Sequence, residues 1–163
     1  MKKYYITTVV LGLLISLTGC NSIGSKKNPT YAKEMDKVIS EYIIDRNNRS
    51  DETSKAFEVH HVYGTKTTNH ITTFYILSNF GVFRKGTDTM LSGYIVPAVV
   101  TIKKTDDTFK VSDYKEAKDG SMYVDSIKEM YPKKYENQVL NNVGKQELDK
   151  ELMKQVHKFN GVK

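Results

Sequence analysis

Apolar side chains recur at intervals of three and four between Tyr31 and Ile43, then switch to alternation from Phe57 onward. Tyr31, Met35, Val38, Ile39, Tyr42 and Ile43 share one face of a helix, with Lys33, Asp36, Lys37 and Glu41 on the other. The spacing predicts an amphipathic helix capped by Thr30 and ended by the polar stretch Asp45 to Lys55. From Phe57 to Tyr63, Phe57, Val59, His61 and Tyr63 fall on one face of a strand; Glu58, His60 and Val62 fall on the other. Gly64 to Asn69 reads as a turn, and Ile71 to Leu77 as a strand continuing through Phe80, Val82 and Phe83, with a bulge or bend at Gly81. Tyr94 to Ile102 has the most buried pattern, although Pro97 needs an edge or bulge because it has no N–H to give the ladder. A turn at Thr105-Asp106-Asp107 leads to Phe109, Val111 and Tyr114 on a fourth strand. Short connections between successive strands predict an antiparallel meander.

The 3.6-residue period then returns. Ser121 is a plausible cap for a helix whose face carries Tyr123, Val124, Ile127, Met130 and Tyr131, and Pro132 stops it. Lys133 to Leu140 forms a further short turn or two. After Gly144, Leu148, Leu152, Val156 and Phe159 mark a last amphipathic helix that ends before Gly161. One helix, four strands and two to three C-terminal helices make an α+β domain, with the helices gathered on one face of the sheet. A cystatin-like or NTF2-like arrangement, a helix cradled by a curved sheet, is the specific expectation.

The start of the chain follows neither period. Lys2 and Lys3 precede an apolar run from Ile6 to Leu17, which closes on Leu17-Thr18-Gly19-Cys20. A basic start, a short apolar run and small residues at the cut site build a secretory signal. The run is shorter than the roughly 18 apolar residues of a membrane span. The pattern resembles the bacterial lipoprotein signal, which implies a diacylglyceryl group on the Cys20 thiol (a further acyl chain such as palmitate being typical) and cleavage just before it. Residues 1–19 are then the signal peptide, 20–29 a flexible tether and 30–163 a single domain. The expected location is the extracytoplasmic face of the cell membrane, held by lipid. Two acyl chains hold a protein where one lets it go, at about 0.8 kcal/mol per buried methylene. Lys26-Lys27 in the tether can touch anionic headgroups.

Composition narrows the function. Removing residues 1–19 takes away Lys2 and Lys3, so the formal charge falls from +6 to +4, and 144 of the 163 residues remain. That length supports one core. The basic residues occur in pairs such as Lys103-Lys104 and Lys133-Lys134, which is no nucleic-acid footprint. Cys20 is the only cysteine, so once lipidated it leaves no thiol for a disulfide, a nucleophile or a metal. No cofactor is expected.

The stretch Ser92-Gly93-Tyr94-Ile95-Val96-Pro97-Ala98-Val99-Val100-Thr101-Ile102-Lys103, followed by Tyr114, Asp119-Gly120-Ser121-Met122-Tyr123, Ile127 and Tyr131-Pro132, carries a family resemblance. It is similar to a group of small uncharacterised extracytoplasmic domains of Gram-positive bacteria. Some of these are lipoproteins, and others are joined to membrane sensors of the antirepressor-peptidase type. The group usually has Phe where Tyr131 stands, and often a proline before the Asp-Gly pair, where this chain has Ala117 and Lys118. The resemblance covers about a quarter of the chain. It implies fold and location and transfers no catalytic residue.

Two sets of side chains are candidates for chemistry. If Tyr63 faces His70 across the first hairpin, His61 lies diagonal to His70, and the pair offers two imidazoles to Zn²⁺ or Cu²⁺. Even an open zinc site wants three protein ligands, and ordinary strand histidines explain the pair equally. Phe74, Tyr75, Phe80, Phe83 and Tyr94 would anchor a ligand in the concavity between helix and sheet, unless they are simply core. No nucleophile elbow, zincin helix or phosphate loop is present, so no enzymatic activity is expected. The expected function is a binding module for an envelope protein or peptide, with no nucleic-acid partner. The alternative is a small envelope hydrolase using a pocket carboxylate or histidine.

Overall fold

The computed structural model describes residues 29–47, 49–106 and 108–161. Cys20, the expected signal segment and the expected tether up to residue 28 lie outside them. The order is α1 (Pro29–Asn47), β1 (Ser54–Thr68), β2 (Ile71–Arg84), β3 (Met90–Thr105), β4 (Thr108–Glu116), a 3-10 turn (Gly120–Met122), α2 (Tyr123–Met130), α3 (Lys133–Leu140) and α4 (Lys145–Asn160). The strands form one antiparallel sheet in the order β1-β2-β3-β4. This is the α+β meander that the periodicity predicts.

The placement of the helices differs from the sequence expectation, which gathers them on one face. On one side α1 seals Ile39 and Ile43 against Ala56, Phe74, Ile76, Phe80, Val82, Ala98, Val100 and Ile102. On the other, Ile127, Tyr131, Val139, Leu148, Leu152 and Val156 from the C-terminal helices cover Phe57, Val59, Tyr63, Leu77 and Phe83. The sheet is therefore the middle of three layers. The physical cause is visible in β2, where neighbours Ile76 and Leu77 point to opposite faces and both have 0% exposure. A strand covered on both sides loses its polar face and becomes a continuous apolar run.

Local chemistry explains the boundaries. Asn47 closes α1 by donating from Nδ2 to the Ile43 carbonyl at 2.9 Å. Gly161, at φ 69°, ends α4 in the left-handed conformation that favours glycine. Ser121 lies within the 3-10 turn and makes no cap for α2, whose N-cap is Met122. Pro97 sits in the inner strand β3, where its carbonyl accepts from Ala117 N–H at 2.9 Å. Its nitrogen faces the same way, toward the point where β4 runs out, so the missing donor breaks no rung. Tyr131 Oη lies 2.6 Å from the Ile76 carbonyl and 2.8 Å from that of Ala98, tying the end of α2 to the paired centre of the sheet.

The first hairpin is longer than its glycine suggests. β1 runs through the predicted turn to Thr68, and only Asn69 and His70 turn, Asn69 at φ 55°. The register shifts between Val62 and Gly64, so Tyr63 is the extra residue of a bulge. Tyr135 crosses over Gly64, and any side chain there would overlap its ring.

Because the sheet is covered twice, Ile76→Ala and Leu77→Ala should each cost about 2–5 kcal/mol in urea unfolding. A near-neutral result for either would mean that its face is open.

Candidate functional site

Beyond the bulge the faces of β1 exchange, so Thr65 and Thr67 project to the α1 side and Lys66 does not. Together with the first two turns of α1, these threonines enclose a groove of about 770 Å³. Phe74 and Ile102 form its floor, and both are buried. Met35 and Val62 flank it, and Thr67 and Thr72 join hydroxyls across the hairpin at 3.1 Å. At the hairpin end, Lys104 Nζ lies 4.5 Å above the Tyr31 ring and donates to its hydroxyl at 3.3 Å. Tyr31 in turn meets Phe109 edge-on at 5.5 Å. Asp36 closes the opposite end.

Asp36 leads into a buried charge cluster. Glu58 and His60 stand two residues apart on the α1 side of β1, with 0% and 2% side-chain exposure. Ser78 donates to Glu58 Oε1 at 2.7 Å, and His60 Nδ1 lies 3.2 Å from Glu58 Oε2. His60 Nε2 lies 3.0 Å from Asp36 Oδ1. That approach misses hydrogen-bond alignment, so it is an ion contact rather than a directed bond. Burial alone would depress the imidazole, but the Asp36 and Glu58 carboxylates on either side overcome it and raise its pKa to about 9. Contact with His60 holds the Asp36 carboxyl below its usual range, against the opposing effect of burial. The cluster is a carboxylate–imidazolium–carboxylate chain running from core to groove.

The arrangement differs from that of a nucleophilic site. Ser78 has 0% exposure and donates to a carboxylate rather than to an imidazole. Both ring nitrogens of His60 face carboxylates, leaving neither to take a proton from a substrate. Asp36, 66% exposed, and His70 are the titratable carboxylate and imidazole that reach the groove.

Of the five aromatic anchors read from the sequence, only Phe74 lines the groove. Phe80 lies under α1 against Tyr94, with ring centroids 5.4 Å apart. Tyr75 and Phe83 occupy the opposite face, Tyr75 against Tyr131 and Tyr135, and Phe83 against Phe57. Alternation divides the set between two cores, so it forms no single surface.

The histidine pair does not assemble. His61 contacts Tyr63 at 4.9 Å and abuts Gly144, where an added Cβ would fall 2.6 Å from its ring. His70 is at the hairpin tip, nine residues further along, a path of roughly 30 Å at strand spacing. Tyr63 is the bulge residue and has no cross-strand partner, so the pairing with His70 that the metal reading needs is absent. Among the described residues, no three or more His, Cys, Asp or Glu side chains gather to hold a metal. The cluster that does form, Asp36–His60–Glu58–Ser78, left one sequence signal: Glu58 and His60 share a strand face. Asp36 sits among the polar residues of α1, and nothing local links it to β1.

Comparison with protein-family models, curated proteins and solved structures finds no match to this chain. Among the described residues no helix is long and apolar enough to cross a membrane.

The His60 pKa has a stability consequence of definite sign. Its folded value of about 9 lies above the ordinary 6.5, so its contribution is complete below pH 6.5 and lost as pH rises through 9. Tyr94 titrates higher, at about 12, because burial and the nearby Glu116 carboxylate disfavour its ionised form. The urea midpoint should therefore fall between pH 6.5 and 9, and His60→Gln should flatten that fall. An unchanged slope in the variant would remove His60 as the cause.

Proposed function

We propose that this chain is a lipid-anchored binding module on the extracytoplasmic face of the cell membrane, and that its groove receives an apolar peptide segment of an envelope protein. The supporting observation is the groove itself: about 770 Å³, with Phe74 and Ile102 as its floor and threonine hydroxyls along one wall. An apolar concavity with a few polar groups is the usual form of a ligand site. Glu58 and Ser78, the buried groups with chemistry to offer, are sealed beneath α1 outside the groove lining.

Location follows from the N-terminal sequence. With Cys20 lipidated, nine residue steps separate the anchor from Pro29, a reach of at most about 30–33 Å. The first helical turn, Tyr31 and Ala32, borders the groove, so the groove stays within a short tether of the bilayer. The second reading, an envelope hydrolase, draws on Asp36 and His70, which share the groove.

Two measurements test this reading. Cys20→Ser should abolish incorporation of a labelled fatty acid and release the protein from the membrane fraction; retention of both would refute the anchor. A photocrosslinking residue at Val62 should give one dominant protein adduct in cells, while one at exposed Val124 on the other face should not. Identical adducts from both positions would exclude the groove as the binding surface. Turnover of envelope substrates lost in Asp36→Asn would establish the hydrolase instead.

A further inference from the structure

We infer that the groove selects an extended peptide segment carrying a positive group at one end, a negative group at the other and apolar side chains between. The inference rests on the binding reading above and deepens it by assigning the chemistry of the occupant. α1 runs along the strands, with Tyr31 against Phe109 near the start of β4 and with Tyr42 and Arg46 against Tyr114 near its end. The groove beside it therefore lies lengthwise on the first hairpin, and its two ends differ in charge.

The inner end is acidic. Asp36 and Glu58 supply two carboxylates and His60 one imidazolium, so the cluster retains one negative charge in excess when all three are ionised. Glu58 is inaccessible, and Asp36 is the member with an exposed side chain. The excess charge is therefore presented to the groove through Asp36. The outer end is basic. Among the described residues, the Lys104 ammonium rests on the Tyr31 ring and hydroxyl rather than on a carboxylate, and the Lys104 amide donates to the His70 carbonyl at 2.8 Å, which fixes this residue at the hairpin tip. Asp106, two residues further on, is exposed on the β3–β4 turn.

Length sets the class of ligand. His60 pairs with Ser78, and Ser78 is eight residues from His70 along β2, roughly 26 Å of strand. α1 sets a shorter limit: Tyr31, which Lys104 touches, and Asp36 are five residues apart, about 7.5 Å of helical rise, so an extended occupant places about two to three residues between its charged ends. Val62, Phe74 and Ile102 offer apolar contact over that length, and the Thr67 and Thr72 hydroxyls, bonded to one another, keep acceptor lone pairs for a peptide N–H. An acyl chain would match the floor but would leave the acidic end without a counter-charge. Charge complementarity of this kind sets specificity and register more than raw affinity.

The test uses the full lipidated protein in detergent micelles and two end-blocked pentapeptides, Lys-Leu-Val-Leu-Glu and Gln-Leu-Val-Leu-Gln, titrated by calorimetry. The charged peptide should bind about tenfold more tightly, with an advantage that shrinks as salt is raised. Asp36→Asn and Lys104→Gln should each weaken the charged peptide severalfold more than the uncharged one, so that the ratio of the two affinities falls. Lys104→Glu should reverse the preference toward Lys-Leu-Val-Leu-Lys, a rescue that a purely structural role for Lys104 would not produce. Equal binding of the charged and uncharged peptides would overturn the charge inference while leaving the groove reading intact. Binding of neither peptide, together with loss of the Val62-specific adduct, would remove both. Saturable binding of oleate with no peptide binding would make the groove a lipid site and overturn the inference.

Discussion

Two-sided burial of the sheet is the constraint on which the rest of this structure depends. β2 and β3 contribute apolar residues to both cores, and each core is completed by helices from a different part of the chain. Neither face can be left open without exposing a continuous apolar surface, so α1 and the C-terminal helices are both obligatory layers. With α1 required in place, the space beside its first two turns becomes a groove with rigid walls rather than a flexible cleft. Close packing on both sides leaves little freedom for the strands that form its floor.

A one-residue bulge determines what lines that groove. Had β1 continued in register past Val62, Gly64, Lys66 and Thr68 would have faced α1. Inserting Tyr63 as the unpaired residue turns Thr65 and Thr67 inward instead. A lysine wall is thereby replaced with short hydroxylated side chains beside Phe74. The same insertion places Tyr63 in the opposite core, where it meets Tyr131 at 6.3 Å. Gly64 then allows Tyr135 to cross the strand. One local irregularity thus serves both layers, in keeping with the tendency of bulges to re-aim side chains near sites.

The Asp36–His60–Glu58 chain is a different kind of device. Burying a carboxylate costs several kcal/mol unless it is paired and hydrogen-bonded, and Glu58 meets that condition through His60 and Ser78. The cluster is therefore weak as a source of net stability and strong as a determinant of where α1 sits. A displaced helix would take the Asp36 carboxylate away from His60 Nε2. It also connects the core to the groove, since Asp36 belongs to both.

Much of this was legible from local pattern. The 3.6 and 2.0 periods located α1, α2, α4 and the four strands, and the final glycine marked the end of α4. These are properties of short segments, governed by backbone geometry that neighbouring residues impose on one another. The proposed N-terminal signal and lipidation of Cys20 likewise rest on a pattern of consecutive residues, which lie outside the described ones. α3 read only as a short turn or two, β1 runs on through the turn read at Gly64 to Asn69, and Pro97 stands in an inner strand rather than at the expected edge or bulge. Tertiary structure alone decided which face each helix covers, that Tyr63 is the bulge residue, that His61 and His70 part company, and that Asp36 meets His60. Each of these depends on contacts between residues far apart in the chain. A shift of one position in strand register would have reversed the face presented by β1 without altering its local pattern.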